Sequence, residues 1–273
     1  MPRKPTSPGI TLTSMTHIDV VAHNREAWDR QVAAGDEWTV GATPEMVAAA
    51  RSGDVSHVVL IGRKPVPRDW LPPDLSGVDI LCLASGGGQQ GPMLAAAGAN
   101  VTVFDNSPKQ LDRDREVAQR EVLELQTVLG DMRDLSTFPD GAFDIVFNPV
   151  SNVFCPDLAP VWAECHRVLR PSGSLLVGFM NPDIYIFDPA AADRGELSVR
   201  FSIPYSDTTS LTAEEFAALE HDTLQFSHTM SAQVGGQIGA GFAIAGWDET
   251  PHHADLTAKY MPGYYATRGI KRS

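Results

Sequence analysis

The 273-residue chain reads as an α/β protein organised on a doubly wound parallel sheet. Three observations predict this. Short apolar runs alternate with helical stretches along most of the chain, a rhythm that strands need when each parallel neighbour is reached through a crossover helix. The first run, Ile80 to Leu83, feeds directly into a glycine-rich turn containing Gly86, Gly88 and Gly91. The second, Val101 to Phe104, ends on an acid, Asp105. Runs that are apolar without alternation suit strands covered on both faces.

The glycine turn carries the most information. Glycines there let the backbone take positive φ and let a ligand lie against its amides. The run from Gly91 and Pro92 to Ala97 reads as a helix stopped by Gly98, and Asp105 stands about twenty residues beyond the turn, where a carboxylate accepts the hydroxyls of a ribose. Strand, turn, helix, strand and acid in that order describe a site for a nucleotide-containing cofactor. They do not distinguish one such cofactor from another.

Ahead of this unit, residues 1–75 read as a tail and a helical cap, and residues 76–273 as the core. Asn24 is placed to cap a helix through Ala34 that Gly35 stops, and Thr43 with Pro44 opens a second that ends near Gly53. The proline-rich stretch 64–75 is expected to be a hinge between cap and core. Beyond Asp105, Ser107, Pro108 and Gln110 form a capping box for a charged helix with Leu111, Ala118 and Val122 on one face. Strands follow at Leu125 to Leu129 and Phe143 to Phe147, with the turn Gly130-Asp131-Met132 between them. A helix with Leu158, Val161, Trp162, Cys165, Val168 and Leu169 on its sheet side precedes a strand from Ser174 to Met180. Residues 181–230 break the rhythm and read as an inserted lid, with a short helix near Ala213 to Leu219 opened by Thr212. A helix through Val234 and Ile238, halted near Gly241, and strands at Ala243 to Trp247 and Tyr264 to Ile270 complete the chain.

Composition narrows the function. A net charge of −13 argues against a nucleic-acid partner, because phosphate recognition depends on clustered Lys and Arg. No stretch has the eighteen consecutive apolar residues of a membrane span, and residues 1–14 lack the apolar segment of a signal peptide, so the expected location is cytoplasmic. Cys82, Cys155 and Cys165 show neither disulfide nor zinc spacing, and no metal is expected. The expected partner is a small-molecule substrate; the sequence leaves the oligomeric state open.

From about Val78 to Lys271 the sequence resembles the class I S-adenosylmethionine-dependent methyltransferases. Cys82, Ala84, Gly86 and Gly88 stand at the places of that family's D-x-G-x-G-x-G motif, with Cys82 and Ala84 replacing an acid and a glycine. Asp105, the Asp131 turn, the loop 168–173 and the run 237–242 match further family features. The resemblance implies a Rossmann-like, mostly parallel seven-stranded sheet whose last strand, Tyr264 to Ile270, is inserted antiparallel. It implies S-adenosylmethionine as cofactor, held by Ala84, Ser85, Gly86, Gly88, Gln89, Asp105, Asn106, Asp131, Met132 and Asn148. Asp131 would accept from the adenine amino group, the Met132 amide would donate to the ring, and Ser85 or Gln89 would share the methionine amino group with backbone carbonyls. An NAD-dependent oxidoreductase is the alternative, since Gly86-x-Gly88-x-x-Gly91 with Asp105 also fits a dinucleotide site. A non-catalytic partner subunit is a third reading.

Methyl transfer from a sulfonium asks chiefly for alignment and exclusion of water. Trp28, Trp38, Phe154, Phe179 and Tyr185 are candidates for an aromatic wall, with Asn152 and Asn181 beside the acceptor. The run NPVSN at 148–152 is not the NPPY motif of amino methylation on bases. His228, between the insertion and the returning helix, is the candidate general base, whereas His57, His166, His252 and His253 read as surface or packing residues.

Overall fold

The structure is a computed structural model that describes residues 18–217, 223–252 and 256–272. Seven strands form the main sheet: β1 (Asp79–Leu83), β2 (Asn100–Asp105), β3 (Gln126–Leu129), β4 (Phe143–Asn148), β5 (Leu169–Met180), β6 (Phe242–Thr250) and β7 (Tyr264–Lys271). Their order across the sheet is β6-β7-β5-β4-β1-β2-β3. β7 runs antiparallel to both neighbours, whereas β1, β2, β3, β4 and β5 pair in parallel. The doubly wound fold with a reversed seventh strand is therefore the observed one. Strand order reverses beside β1, which places the glycine turn at the switch point where such sheets open a ligand crevice.

Side-chain alternation divides the core in two. Ile80 and Cys82 of β1 join one buried cluster with Val101, Val103 and Phe147, while Leu81 and Leu83 join the other with Phe104, Val146 and Trp162. Each fully buried Leu or Phe removes enough apolar surface to contribute about 1.5–3 kcal/mol. Among the described residues no helix is long and apolar enough to cross a membrane.

Two helices, α1 (Val20–Ala34) and α2 (Pro44–Arg51), precede the sheet. α1 begins five residues earlier than expected because Asp19, not Asn24, supplies the cap, its Oδ1 accepting from Ala22 N at 3.0 Å. Asn24 is instead buried, donating through Nδ2 to Phe154 O and Leu224 O and accepting from Leu224 N. It thus ties the cap to the insertion. α2 opens as expected on Thr43, whose hydroxyl accepts from Met46 N.

Residues 64–75 are not the expected hinge. Val66, Trp70, Leu71 and Leu75 are all buried in the first core cluster. Proline excludes regular structure there but not packing. A short ribbon, Val59–Ile61 with Lys64–Pro65, lies against β5 so closely that a Cβ on Gly178 would sit 2.1 Å from Leu60 O. Glycine at 178 is what admits the cap to the sheet.

Between the sheet strands run α3 (Gln90–Ala96), α4 (Pro108–Glu121) and α5 (Ala159–Val168). Ser107 caps α4 as its box predicts, its Oγ accepting from Gln110 N at 3.1 Å. Val122, expected on the packed face, is 90% exposed because it is the left-handed terminus of that helix. α5 buries Trp162, whose Nε1 donates to Ala232 O. The insertion forms a small ribbon, Tyr205–Ser206 with Phe226–Ser227, and a helix at Ala213–Ala217; the expected end of that helix lies outside the described residues.

Candidate functional site

A cavity of about 790 Å³ opens over the carboxyl ends of β1, β2, β3 and β4, in the upper part of the usual size range for ligand sites. Its floor is the turn after β1. Ala84 takes φ +46°, and Gly87 and Gly88 take +112° and +75°. A Cβ on Gly86 would meet Gln110 Cβ at 2.6 Å and Asp105 Cγ at 3.0 Å, so the turn is pressed directly onto Asp105.

Two carboxyl groups fasten this turn from below. Gly86 N donates to Asp105 Oδ2 at 2.8 Å, and Gly87 N donates to Asp114 Oδ2 at 3.1 Å. Burial pushes the Asp105 carboxyl above its usual range, against the pull of the Ser107, Gly86 and Asn106 amides, with Asp29 adding to the rise. Asp114, on α4 and fully buried, is raised further for the same reason and by Asp105. Consecutive amides that would cradle a phosphate in a dinucleotide site are thus already engaged, and by acids. The turn is built for a ligand that brings no phosphate to it.

Of the residues expected to hold the cofactor, Ala84, Ser85, Gly86, Gln89, Asp105, Asn106, Asp131 and Met132 lie on the cavity wall. Ser85 Oγ is buried there without a hydrogen-bond partner, an open polar position suited to a polar ligand. Asp105 retains lone pairs beyond those given to Gly86 and Ser107. Asn106 is oriented by α1: its Nδ2 donates to Val21 O at 2.8 Å and its Oδ1 accepts from Arg25 Nε at 3.1 Å. Asp131 is clasped by Arg133, with Nη2 to Oδ2 at 2.6 Å. Gln89 faces the wall but spends its amide on the cap, donating to Glu37 O and Val40 O.

Gly88 and Asn148 are not on the wall. The carbonyl of Gly88 accepts from Ala42 N at 2.7 Å, and its backbone packs on α4, where a Cβ would meet Arg113 O at 2.7 Å. Asn148 is fully buried beneath the turn, with Nδ2 donating to Leu83 O and Ser151 Oγ. Both shape the wall from behind.

Of the acceptor candidates, Trp28 and Trp38 reach the cavity, Trp28 in an edge-to-face pair with Phe154 at 5.1 Å. The other four do not line the cavity. Phe179 packs with Tyr265 and Trp247 on the second face of the sheet, because strand alternation turns it away from the site. Asn152 donates to Gln233 Oε1, Asn181 holds the turn at 181–183 and donates to Pro262 O, and the Tyr185 hydroxyl donates to Gln225 Oε1. Polar residues at strand ends were here taken up by the loops themselves.

His228 is likewise off the cavity wall. Its Nε2 lies 2.8 Å from Cys155 O and 3.2 Å from Asn152 O, so that nitrogen carries the hydrogen and donates to carbonyls. Burial lowers its pKa against the upward pull of those carbonyls and of Asp157. The imidazole fastens the loop after β4 to the insertion. Cys155, on the wall, has its thiol pushed up to about 12 by burial and stays protonated near neutrality.

Arg63 and Gln225 also reach the cavity, as do His57 and His252, expected to be surface or packing residues, and Tyr264, expected only as the start of a strand. Tyr264 was legible as the start of a strand, but its stacking on His252, with centroids 5.0 Å apart and planes at 18°, depends on the antiparallel pairing that brings the end of β6 beside the start of β7. Among the described residues no cluster of His, Cys, Asp and Glu is arranged to hold a metal.

A family model described as a methyltransferase domain matches residues 81–177. The chain is 45% identical over 254 residues to the uncharacterized methyltransferase YbaJ of Bacillus subtilis, spanning 92% of this chain and 98% of that protein. It is 29% identical over 181 residues to 2-methyl-6-phytyl-1,4-hydroquinone methyltransferase of Synechocystis, spanning 59% of this chain and 54% of that one. Among solved structures, an S-adenosylmethionine-dependent methyltransferase from Mesorhizobium loti shares the fold, with a TM-score of 0.57 and 20% identity over 75% of this chain and 95% of that chain. The dinucleotide alternative falls on the engaged amides of the turn and on these relatives together. The protein belongs to the class I S-adenosylmethionine-dependent methyltransferases.

Proposed function

We propose that the protein transfers a methyl group from S-adenosylmethionine to a small-molecule acceptor by in-line displacement inside this cavity. The observation that carries the reading is the junction, within one cavity, of the Asp105 and glycine-turn wall with a second compartment under the cap. When bound, the cofactor supplies a methyl group already activated on a sulfonium, so the chain's task is to bind, align and keep water out. Asp105 would accept the ribose hydroxyls, and Ser85 Oγ would bond the amino-acid end. Asp131, steadied by Arg133, would meet the adenine edge, with Met132 packed beside it. Trp28 and Phe154 would close one side against solvent. His228 is cast as a positioning residue for the 152–155 loop rather than as a base.

Residues 17–60 and 181–230 are proposed to close over the two ligands and exclude water, the first as part of the 1–75 cap region and the second as a lid on the 76–273 core. The bonds of Asn24 to Leu224 and of Gln89 to the cap support coupled rather than independent movement. A cytoplasmic setting accords with three unpaired buried cysteines, and a net charge of −13 disfavours nucleic-acid substrates.

Titration calorimetry with S-adenosylhomocysteine, S-adenosylmethionine and NAD tests the cofactor half of the proposal. Binding of the sulfur nucleotides but not NAD is expected; NAD binding without them would overturn it. Product profiling with a labelled methyl donor tests the transfer, and a protein that binds donor but labels no extract component would favour a non-catalytic subunit.

A further inference from the structure

The cavity extends past the cofactor wall, beneath α2 and the 59–65 ribbon, to the ends of β5 and β7. We propose that this compartment takes an uncharged, flat and largely apolar acceptor, an inference that rests on the methyl-transfer reading above. Three methionines from separate elements line it: Met46 from α2, Met93 from α3 and Met180 from β5. Unbranched thioether side chains conform to bodies of differing outline. The ring of Tyr264, stacked on His252, lines the same cavity and adds aromatic surface suited to a flat ligand.

Three glutamine side chains of this wall are engaged by neighbouring residues. Gln90 Oε1 accepts from Val59 N at 2.9 Å, Gln89 Nε2 donates to Val40 O at 2.9 Å, and Gln225 Oε1 accepts from Tyr185 OH at 2.6 Å. Its fixed charges are spent as well. Glu37 and Arg63 pair with each other at 2.8 Å, with both side chains more than half exposed at the mouth. An acceptor carrying a carboxylate or ammonium in its body would leave water here without an unpaired opposite charge to meet it, a cost a neutral ring does not incur.

The test uses the full chain saturated with S-adenosylhomocysteine, titrated calorimetrically with 2-naphthol, 6-hydroxy-2-naphthoate and 6-(aminomethyl)-2-naphthol. Neutral 2-naphthol is expected to bind at least 10-fold more tightly than either charged counterpart. Met46→Lys should reverse the order of naphthol and naphthoate while changing S-adenosylhomocysteine affinity less than twofold. Equal or tighter binding of a charged probe to the wild-type protein, or no binding of any of the three, overturns the acceptor proposal. Failure of S-adenosylhomocysteine itself to bind overturns the cofactor reading instead, so the two failures are separable.

Discussion

Asp114 offers a test of the glycine turn that requires no substrate. Its carboxyl is buried under the turn, one oxygen accepting from Gly87 N at 3.1 Å and the other without a partner. Burial holds its pKa well above the usual carboxylate value, with Asp105 adding to the rise while the Gly87 and Gly88 amides oppose it. The folded protein therefore keeps this proton to higher pH than the unfolded chain does. From about pH 4, the ordinary carboxylate value, up to the folded value, the native state binds more protons, so this group's contribution falls as pH rises. The limiting slope is about 1.4 kcal/mol per pH unit for one proton. Asp114→Asn is nearly isosteric with the neutral acid, still accepts from Gly87 and does not titrate. Its stability relative to wild type should rise with pH, by up to that slope, while Asp114→Ala leaves the Gly87 amide unsatisfied and costs about 1–3 kcal/mol at the acid end. Urea denaturation at intervals from about pH 5 to 8 measures all three. Parallel curves for wild type and Asp114→Asn would refute a buried, protonated clasp on the turn.

Other perturbations reach other parts of the site. Asp105→Ala should weaken S-adenosylhomocysteine binding by about 1.5–3 kcal/mol through loss of a charge-assisted contact, and an unchanged dissociation constant in a folded variant would place the ribose elsewhere. His228→Gln should lower turnover less than about 10-fold, because the imidazole is committed to Cys155 O and Asn152 O; a loss of 10²-fold or more with the acid limb of the pH profile abolished would restore it as a base. Since burial lowers the His228 pKa, its stabilising contribution is present above the unfolded value near 6.5 and declines as pH falls below it, and that acid-side decline should be shallower in the glutamine variant. Gly178→Ala forces a Cβ to 2.1 Å from Leu60 O and should cost about 1–3 kcal/mol by separating ribbon from sheet; wild-type melting would show that the cap does not dock there.

By itself the sequence determined the sheet and the glycine turn at its edge, because both are written in local terms. A buried parallel strand must be apolar, a turn at positive φ favours glycine, and an acid ending β2 falls beside that turn once β1 and β2 pair, as Leu83 and Phe104 do. Asp105 could be named for that reason, whereas Ser85, Asp131 and Met132 were named through the resemblance to the methyltransferase family. Residues 64–75 misled because proline reports what backbone cannot form and says nothing of what Trp70 and Leu71 will pack against. The roles of Asn24, Asn148, Asn152 and His228 were hidden for a related reason: a polar side chain near a ligand edge serves either ligand or loop, and the choice falls to whichever carbonyls arrive beside it. Tertiary structure alone decided these, along with the acceptor compartment, since Met46, Met93, Met180 and Tyr264 lie far apart in sequence and share a wall only through the docking of the cap on β5 and β7.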